Sequence, residues 1–252
     1  MKITILGCGT SGGVPRIGNE WGACDPNEPK NRRRRCSILV EEKETRVLID
    51  TSPDIRQQLL DANVDDVDAV VWTHEHADQC HGIDELRVLA IHNRRRVDVW
   101  SDHKTLSILK RRFDYCFEQL NGNPYPAILT DHLIDGPFNI GDIDFIPFDQ
   151  DHGSITSLGF RMGKIGYSND LVNLDDNGFD ILSGVDTWIV DAMRYKPHPT
   201  HVNLETTLEW IDRLKPRRAI LTNMHVDLDY QTLINELPDG VEPAYDGMEI
   251  EV

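Results

Sequence analysis

Two histidines and an aspartate alternate in the segment Thr73-His74-Glu75-His76-Ala77-Asp78. Side chains at positions i, i+2 and i+4 of an extended or turning chain can converge on one point. Two neutral imidazoles and a carboxylate suit a borderline-soft divalent cation such as zinc, manganese or iron. Such an ion lowers the pKa of bound water toward ~7 and supplies hydroxide at neutral pH. The segment therefore predicts a metal centre, and the alternative is a polar loop that carries two surface histidines.

Further candidate ligands follow apolar runs that have the pattern of β-strands. The runs 69–72, 143–148, 165–168 and 219–222 come shortly before His74, His152, Asp170 and His225, respectively. Loops at strand ends, held by a rigid sheet, are where binding and catalytic sites are usually built. We therefore expect these four loops to meet at one site.

Strand-like and helical runs recur along the whole chain. We predict strands at residues 3–6, 37–41, 46–50, 69–72, 97–100, 143–148, 158–162, 164–168, 187–191, 219–222 and 248–252. Apolar residues at helical spacing predict helices at residues 53–62, 82–92, 103–120, 203–214 and 230–236. No repeat or linker divides the chain, so we predict a single hydrolase domain over residues 1–252. Early hairpins followed by strand–helix alternation predict an α/β fold, an αββα sandwich of two mixed β-sheets flanked by helices.

The composition is that of an ordinary globular protein with a strong negative charge. The net charge of −17 would repel a long RNA or a DNA duplex unless a local basic patch overrode it. No run of roughly 18 apolar residues occurs, and the N-terminal residues alternate like a strand instead of resembling a signal peptide. The five cysteines are odd in number and form no Cys-x-x-Cys pair, which favours a reducing compartment. We expect a cytoplasmic protein that binds neither nucleic acid nor membrane, and the sequence is compatible with a homodimer.

The segment from Thr73 to Asp78, followed by Gly82, resembles the His-x-His-x-Asp-His signature of the metallo-β-lactamase superfamily. The resemblance extends over essentially the whole chain. It implies that His74, His76 and His152 bind one metal ion. It also implies that Asp78, His225 and a sixth ligand bind a second ion, with Asp170 bridging the two.

The sixth ligand is where the sequence departs from that signature, because position 79 is Gln79 and not histidine. An amide oxygen is a weak ligand for these metals compared with imidazole. The second ion is then weakly bound, a harder cation, or absent. His81 lies three residues beyond Asp78 and on the same face of a helix starting there. It either substitutes as a ligand or supports the site and its substrate, and we favour the supporting role.

A closer resemblance is to the phosphodiesterases that accompany carbon–phosphorus lyase and open a five-membered cyclic ribose phosphate. It is carried by the segments 6–15, 32–37, 197–204 and 245–250, which read LGCGTSGGVP, RRRRCS, PHPTHVNL and YDGMEI. This branch is related to the tRNA 3′-processing nuclease and to the pyrroloquinoline-quinone biosynthesis B protein. Its members carry an N-terminal cysteine cluster, of which this chain retains Cys24. One thiol cannot close a tetrahedral zinc site, so we predict no structural zinc.

The resemblance also implies roles for residues outside the metal signature. His201 matches a histidine near the substrate phosphate, where it would orient the phosphate or protonate the leaving alkoxide. The alternative role for His201 is capping the helix that starts at residue 203. Asp50 matches an acidic position that supports the histidine loop. Arg34 and Arg35 are candidates for the substrate phosphate, because a guanidinium fork fits phosphate oxygens.

These observations predict a metal-dependent phosphodiesterase that acts on small cyclic phosphate or nucleotide-like substrates. We expect one or two divalent ions, zinc or manganese, and no organic cofactor. Asp78 would orient the attacking hydroxide and His201 would assist the leaving oxygen. The alternatives are a tRNA-processing nuclease of the RNase Z type, a thioesterase or lactonase of the same fold, and a non-catalytic module that binds a metal or nucleotide.

Overall fold

Two seven-stranded β-sheets form the centre of the computed structural model, which describes residues 1–119, 122 and 124–252. The strands are β1 (Lys2–Gly7), β2 (Ser37–Glu42), β3 (Thr45–Ile49), β4 (Ala69–Val71), β5 (Val97–Ser101), β6 (Leu129–Leu133), β7 (Phe138–Ile140), β8 (Ile143–His152), β9 (Ile155–Met162), β10 (Ile165–Ser168), β11 (Thr187–Asp191), β12 (Arg218–Thr222), β13 (Val241–Pro243) and β14 (Glu249–Glu251). The first sheet has the order β14-β1-β2-β3-β4-β5-β6, and the second has the order β13-β12-β11-β10-β9-β8-β7.

Both sheets are mixed, as predicted. In the first sheet, β14, β1, β2 and β3 pair antiparallel, and β3 to β6 pair parallel. In the second sheet, β7 to β10 pair antiparallel, and β10 to β13 pair parallel. The carboxyl ends of parallel neighbours lie at the same edge of a sheet, which is where loops in α/β folds form sites. This arrangement confirms the predicted αββα sandwich.

Helices lie between the strands and cover the sheets. They are α1 (Ile55–Asp61), α2 (Ala77–Cys80), α3 (Leu86–Asn93), α4 (His103–Arg112), α5 (Asp114–Phe117), α6 (Asp176–Leu182), α7 (Leu204–Leu214) and α8 (Tyr230–Glu236). Asp102 caps α4 by accepting hydrogen bonds from two backbone amides of its first turn, which would otherwise lack partners. Among the described residues, no helix combines the length and the apolar character needed to cross a membrane.

Alternating side chains of the strands divide the apolar interior into two layers. Val47 and Ile49 of β3 pack between the sheets, in a cluster that includes Phe145 and Phe160 of the second sheet. Leu48 points to the other face and packs with Leu59 and its neighbours beneath the helices. A sheet that is buried on both faces needs apolar residues throughout, which explains the continuous apolar runs in its central strands.

The structure differs from the predicted elements at several boundaries. The run predicted as one helix from 103 to 120 is broken at Phe113, where the backbone leaves helical geometry (φ −132°, ψ 43°). The predicted end of that run, Leu120, lies outside the described residues. The strands β6, β7 and β13 were not predicted; the last two have three residues each, too few to show a periodicity.

Candidate metal centre

Strand ends and their loops place the polar side chains of the site. His74 follows β4, His76 precedes α2, His152 ends β8, Asp170 follows β10, Asp191 ends β11 and Asn223 follows β12. Thr73 O accepts a hydrogen bond of 2.9 Å from Leu158 N, which joins the loop after β4 to the second sheet. Ser157 Oγ donates to Asp170 O at 2.7 Å and so holds the loop after β10. The candidate residues therefore lie where the edges of the two sheets meet.

Three histidines, His74, His76 and His152, form what we call the three-histidine group. One ligand atom from each lies within 4.8 Å of the others. Nε2 of His152 is 3.2 Å from Nδ1 of His76. Nε2 of His74 is buried and has no hydrogen-bond partner among the described residues. Because a buried polar atom without a partner is costly, this nitrogen and its neighbours fit a divalent cation.

Burial keeps two histidines of this group, His74 and His152, in the form that binds metals. Burial, followed by the neighbouring histidines, holds the pKa of His74 well below its usual range. Burial and the neighbouring His201 lower the pKa of His152 to about 4. His152 Nδ1 lies 2.8 Å from the carbonyl oxygen of Thr200, so this nitrogen carries the hydrogen and Nε2 keeps its lone pair. The rings of His74 and His152 are therefore neutral at pH 7.

Asp50 supports His74 through Thr73. Asp50 Oδ1 accepts a 2.8 Å hydrogen bond from Thr73 N, and Thr73 Oγ1 lies 2.9 Å from Asp50 Oδ2 and 3.0 Å from His74 Nδ1. A hydroxyl that donates to the carboxylate accepts from His74 Nδ1–H, which leaves the Nε2 lone pair for a metal ion. Burial raises the pKa of Asp50 to about 8 despite these hydrogen bonds, and a cation beside His74 would favour the ionised carboxylate.

Asp170 lies beside the three-histidine group and receives amide donors on both oxygens. Gln79 Nε2 and Asn169 Nδ2 donate to Oδ2 at 2.9 and 2.7 Å. Asn223 Nδ2 donates to Oδ1 at 3.3 Å. Burial raises the pKa of the Asp170 carboxyl well above its usual range, and the nearby positive charge of His201 opposes this shift. Asn223 was not among the predicted residues.

His201 completes a second group of candidate ligand atoms together with His152 and Asp170. His201 Nδ1 lies 3.1 Å from Asp191 Oδ2 and 3.6 Å from Asp170 Oδ1. Burial lowers the pKa of His201, but the hydrogen bond and charge of Asp191 outweigh it and raise the pKa to about 9. The ring is therefore protonated at neutral pH, unlike the rings of His74 and His152.

His225 lies apart from both groups of ligand atoms found in the described part of the chain. Its Nδ1 is 3.2 Å from Asp227 Oδ2, and its Nε2 contacts Nη2 of Arg16. The residue beside Asp170 is instead Asn223, two positions earlier. Asn223 also follows an apolar strand, as the predicted ligands do. The prediction took only the histidine of this loop, His225, and left the amide of Asn223 out.

The other predicted residues have different surroundings. Gln79 contacts Asp170 as described, and its Nε2 is 3.4 Å from Oδ2 of the half-buried Asp78. The His81 ring packs edge-on against Phe113, with 5.4 Å between centroids. His81 thereby faces a cleft beside His76 that Arg112 also lines.

The predicted phosphate-binding arginines are both paired with carboxylates. Arg34 Nη2 forms an ion pair with Asp61, and Arg35 Nε lies 2.9 Å from Asp54 Oδ2. Arg16, which sequence reasoning did not select, is the guanidinium in contact with His225. Its only signal in the sequence is its position directly after the glycine-rich segment 7–15.

Comparison with known proteins agrees with this architecture. Residues 45–224 match the family described as the beta-lactamase superfamily domain. A crystal structure of a new diphosphatase from the PhnP family superposes with a TM-score of 0.92 and 34% identity, covering 99% of this chain and 96% of that chain. Zn²⁺-bound PqqB from Methylobacterium extorquens superposes with a TM-score of 0.77 and 16% identity over all of both chains, which shows a shared fold.

A curated relative is the octanoyltransferase of Porphyromonas gingivalis (strain ATCC BAA-308 / W83), which is 32% identical over 257 residues. The match covers 99% of this chain but 51% of that protein, so the chain spans about half the length of this relative.

Proposed function

The chain belongs to the metallo-β-lactamase superfamily and to its PhnP branch, and from this premise we propose that it is a metal-dependent phosphodiesterase for small cyclic phosphate or nucleotide-like substrates. One observation carries the proposal: His201, whose pKa is raised to about 9, lies against the neutral ring of His152, which belongs to a group of three histidines that fits a divalent cation. Cleavage of a phosphate ester needs charge stabilisation at the phosphoryl group and a proton for the leaving oxygen, and these two groups would supply them.

The three-histidine group and Asp170 would hold the ion, zinc or manganese. When bound, the ion supplies Lewis acidity toward a phosphoryl oxygen and lowers the pKa of water. Asp78, half-buried at the start of α2, accepts a proton from the attacking water and orients it. The Asp170 carboxylate is kept in place by its three amide donors, so little reorganisation is needed during the reaction.

His201 acts as the general acid. Its Nδ1 is held by Asp191, which leaves Nε2 free to donate a proton to the alkoxide that departs from phosphorus. The Asp191 carboxylate fixes the ring orientation and stabilises the imidazolium form. We propose these roles as the reason that the cationic His201 lies next to the neutral ring of His152.

Arg16 and His225 are the groups that we assign to the substrate phosphate. Arg34 and Arg35 form ion pairs of 2.5 and 2.9 Å with Asp61 and Asp54, whereas the ion pair of Arg16 with Glu20 is longer, at 3.6 Å, and exposed. Arg16 also contacts the His225 ring. Burial, together with the positive charge of Arg16, lowers the pKa of His225, although Asp227 opposes this shift. A phosphodiester monoanion placed there would meet the guanidinium fork of Arg16 beside the His225 ring.

A second candidate reaction is hydrolysis of a diphosphate, favoured by the 34% identical structure described as a diphosphatase. The same groups serve this reaction, because a phosphoryl group is again attacked by water. The leaving phosphate is a weaker base than an alkoxide, so His201 would matter less. The octanoyltransferase relative does not favour acyl transfer here, because the chain matches about half of that protein.

The test is a comparison of substrates with the metal-loaded protein. We expect turnover of bis(p-nitrophenyl) phosphate and of a five-membered cyclic ribose phosphate, and none of a thioester, a lactone or precursor tRNA at physiological salt. Preferred turnover of the thioester or lactone would indicate that the protein is an acyl hydrolase and not a phosphodiesterase. Faster turnover of a nucleoside diphosphate than of both diesters would favour the diphosphatase. No turnover by fully loaded protein would indicate a binding module.

We also propose that the protein works in the cytoplasm. All five cysteines are free and buried, which is compatible with a reducing compartment.

A further inference from the structure

We propose that this centre holds a single divalent ion, bound at the three-histidine group, and that Gln79 and Asn223 stabilise the Asp170 carboxylate where the family resemblance implies a second ion. This proposal rests on the metal-binding part of the proposed function and goes beyond it, since that function requires only that a metal be bound.

The Asn223 amide lies between two carboxylates. Its Nδ2 is 3.3 Å from Asp170 Oδ1 and 2.9 Å from Asp191 Oδ2. An amide nitrogen carries two hydrogens and no available lone pair, so it can donate to both acids but cannot bind a metal ion. Turning the amide over would lose both hydrogen bonds and place its oxygen against two carboxylates, with His201 Nδ1, 3.2 Å from Asn223 Nδ2, as a single donor in return. The surroundings therefore determine the amide orientation.

Gln79 repeats this arrangement on the other side of Asp170. Its Nε2 is 2.9 Å from Asp170 Oδ2 and 3.4 Å from Asp78 Oδ2, again between two carboxylates. Its side chain is buried, and its Oε1 has no hydrogen-bond partner within the described part of the chain. A reversed amide would replace two attractive contacts by two repulsive ones, so the nitrogen faces the acids.

The lone pairs of Asp170 leave room for one ion. A carboxylate has about four acceptor sites, two on each oxygen. Oδ2 accepts from Gln79 and Asn169, and Oδ1 accepts from Asn223. One site on Oδ1 is left, so Asp170 can reach a single ion but cannot bridge two.

The charges around the site also favour a single bound ion. The three carboxylates Asp78, Asp170 and Asp191 would repel one another, and a second cation would relieve that repulsion. Here the two amides direct hydrogens at all three acids and offset part of that repulsion. The implied ligand His225 contacts the Arg16 guanidinium, whose charge would repel a second cation.

The experiment is a metal titration that does not depend on turnover. Metal-depleted wild-type protein is dialysed against a series of Mn²⁺ concentrations, and the bound metal is measured by elemental analysis. We expect saturation at one ion per chain and the electron paramagnetic resonance spectrum of an isolated Mn²⁺. Saturation at two ions per chain, or a spectrum of two coupled ions, overturns the proposal. Uptake of no ion overturns both this proposal and the metal centre.

The double variant Q79H/N223H tests whether Gln79 and Asn223 are the reason that the centre binds one ion and not two. It places imidazoles on both sides of Asp170 and should take up a second Mn²⁺ per chain. The matched control, Q57H/N235H, adds two histidines at exposed positions and should stay at one. If the double variant does not fold, the number of ions bound per wild-type chain still decides between one metal site and two. One bound ion without phosphodiester hydrolysis would refute only the proposed function, whereas hydrolysis with two bound ions would refute only this inference.

Discussion

His201 Nδ1 lies 3.1 Å from Asp191 Oδ2, in a place where Asp191 is fully buried and His201 is nearly so. The carboxylate also accepts a 2.9 Å hydrogen bond from Asn223 Nδ2. Asp191 is the last residue of β11, so a rigid strand determines its position. The pair therefore fixes both the orientation and the charge of the histidine nearest to the three-histidine group.

Asp191→Asn should lower kcat on the cyclic ribose phosphate by roughly 10- to 100-fold while KM changes little, because an amide no longer holds the imidazolium. The effect on bis(p-nitrophenyl) phosphate should be much smaller, since p-nitrophenolate leaves without a proton. Steady-state kinetics on both substrates, with metal content measured in parallel, checks this. Asp212→Asn, on the exposed side of α7, is the control. Equal losses on the two substrates would point to a structural role for Asp191.

Thr73→Val should weaken Zn²⁺ or Mn²⁺ binding by roughly 10- to 100-fold, because it removes the hydroxyl that links Asp50 to His74 Nδ1. Valine has nearly the same shape, so the loop after β4 should keep its structure. The affinity is measured by competition with a chelator of known affinity. Thr73→Ser retains the hydroxyl and should bind as the wild type does. Identical affinities of the valine and serine variants would contradict the proposed link.

The fold was largely predictable from the sequence, whereas the site was predictable only in part. Apolar runs followed by His74, His152 and Asp170 place these residues at strand ends, because a strand position fixes where the next side chain lies. The exchange of His225 for Asn223 beside Asp170 was not predictable, because a loop can direct either of two residues inward. The pairing of Arg34 with Asp61 likewise depends on a contact between residues distant in sequence.

Arg16→Ala should raise KM for the cyclic phosphate by about 10- to 100-fold, since a hydrogen bond to a charged group contributes about 1.5–3 kcal/mol. Its kcat should change less, because the guanidinium binds the phosphate and does not take part in proton transfer. The comparison variants are Arg34→Ala and Arg35→Ala, whose side chains pair with Asp61 and Asp54. The KM values of the three variants show whether Arg16, or instead Arg34 or Arg35, binds the substrate phosphate. A larger rise in KM for Arg34→Ala or Arg35→Ala would favour that residue as the phosphate-binding group, as predicted from the sequence.

Asp246 should make the protein less stable as the pH rises from about 4 to about 7. Burial raises the pKa of this carboxyl from 3.8 to about 7, although hydrogen bonds from Arg34 N and Cys8 N oppose the shift. Between these two values the unfolded chain releases the proton and the native protein keeps it. The unfolded state then binds fewer protons, so the free energy of unfolding falls with rising pH. The full change is on the order of 4 kcal/mol for a shift of this size.

Asp246→Asn removes this titration, so the two proteins should be compared by urea unfolding at several pH values. Asparagine cannot accept both backbone hydrogen bonds, which lowers stability by an amount that does not depend on pH. The difference in unfolding free energy, wild type minus variant, should therefore decrease steadily between about pH 4 and pH 7 and level off above it. A difference that stays constant over this range would show that Asp246 is ionised in the native protein throughout.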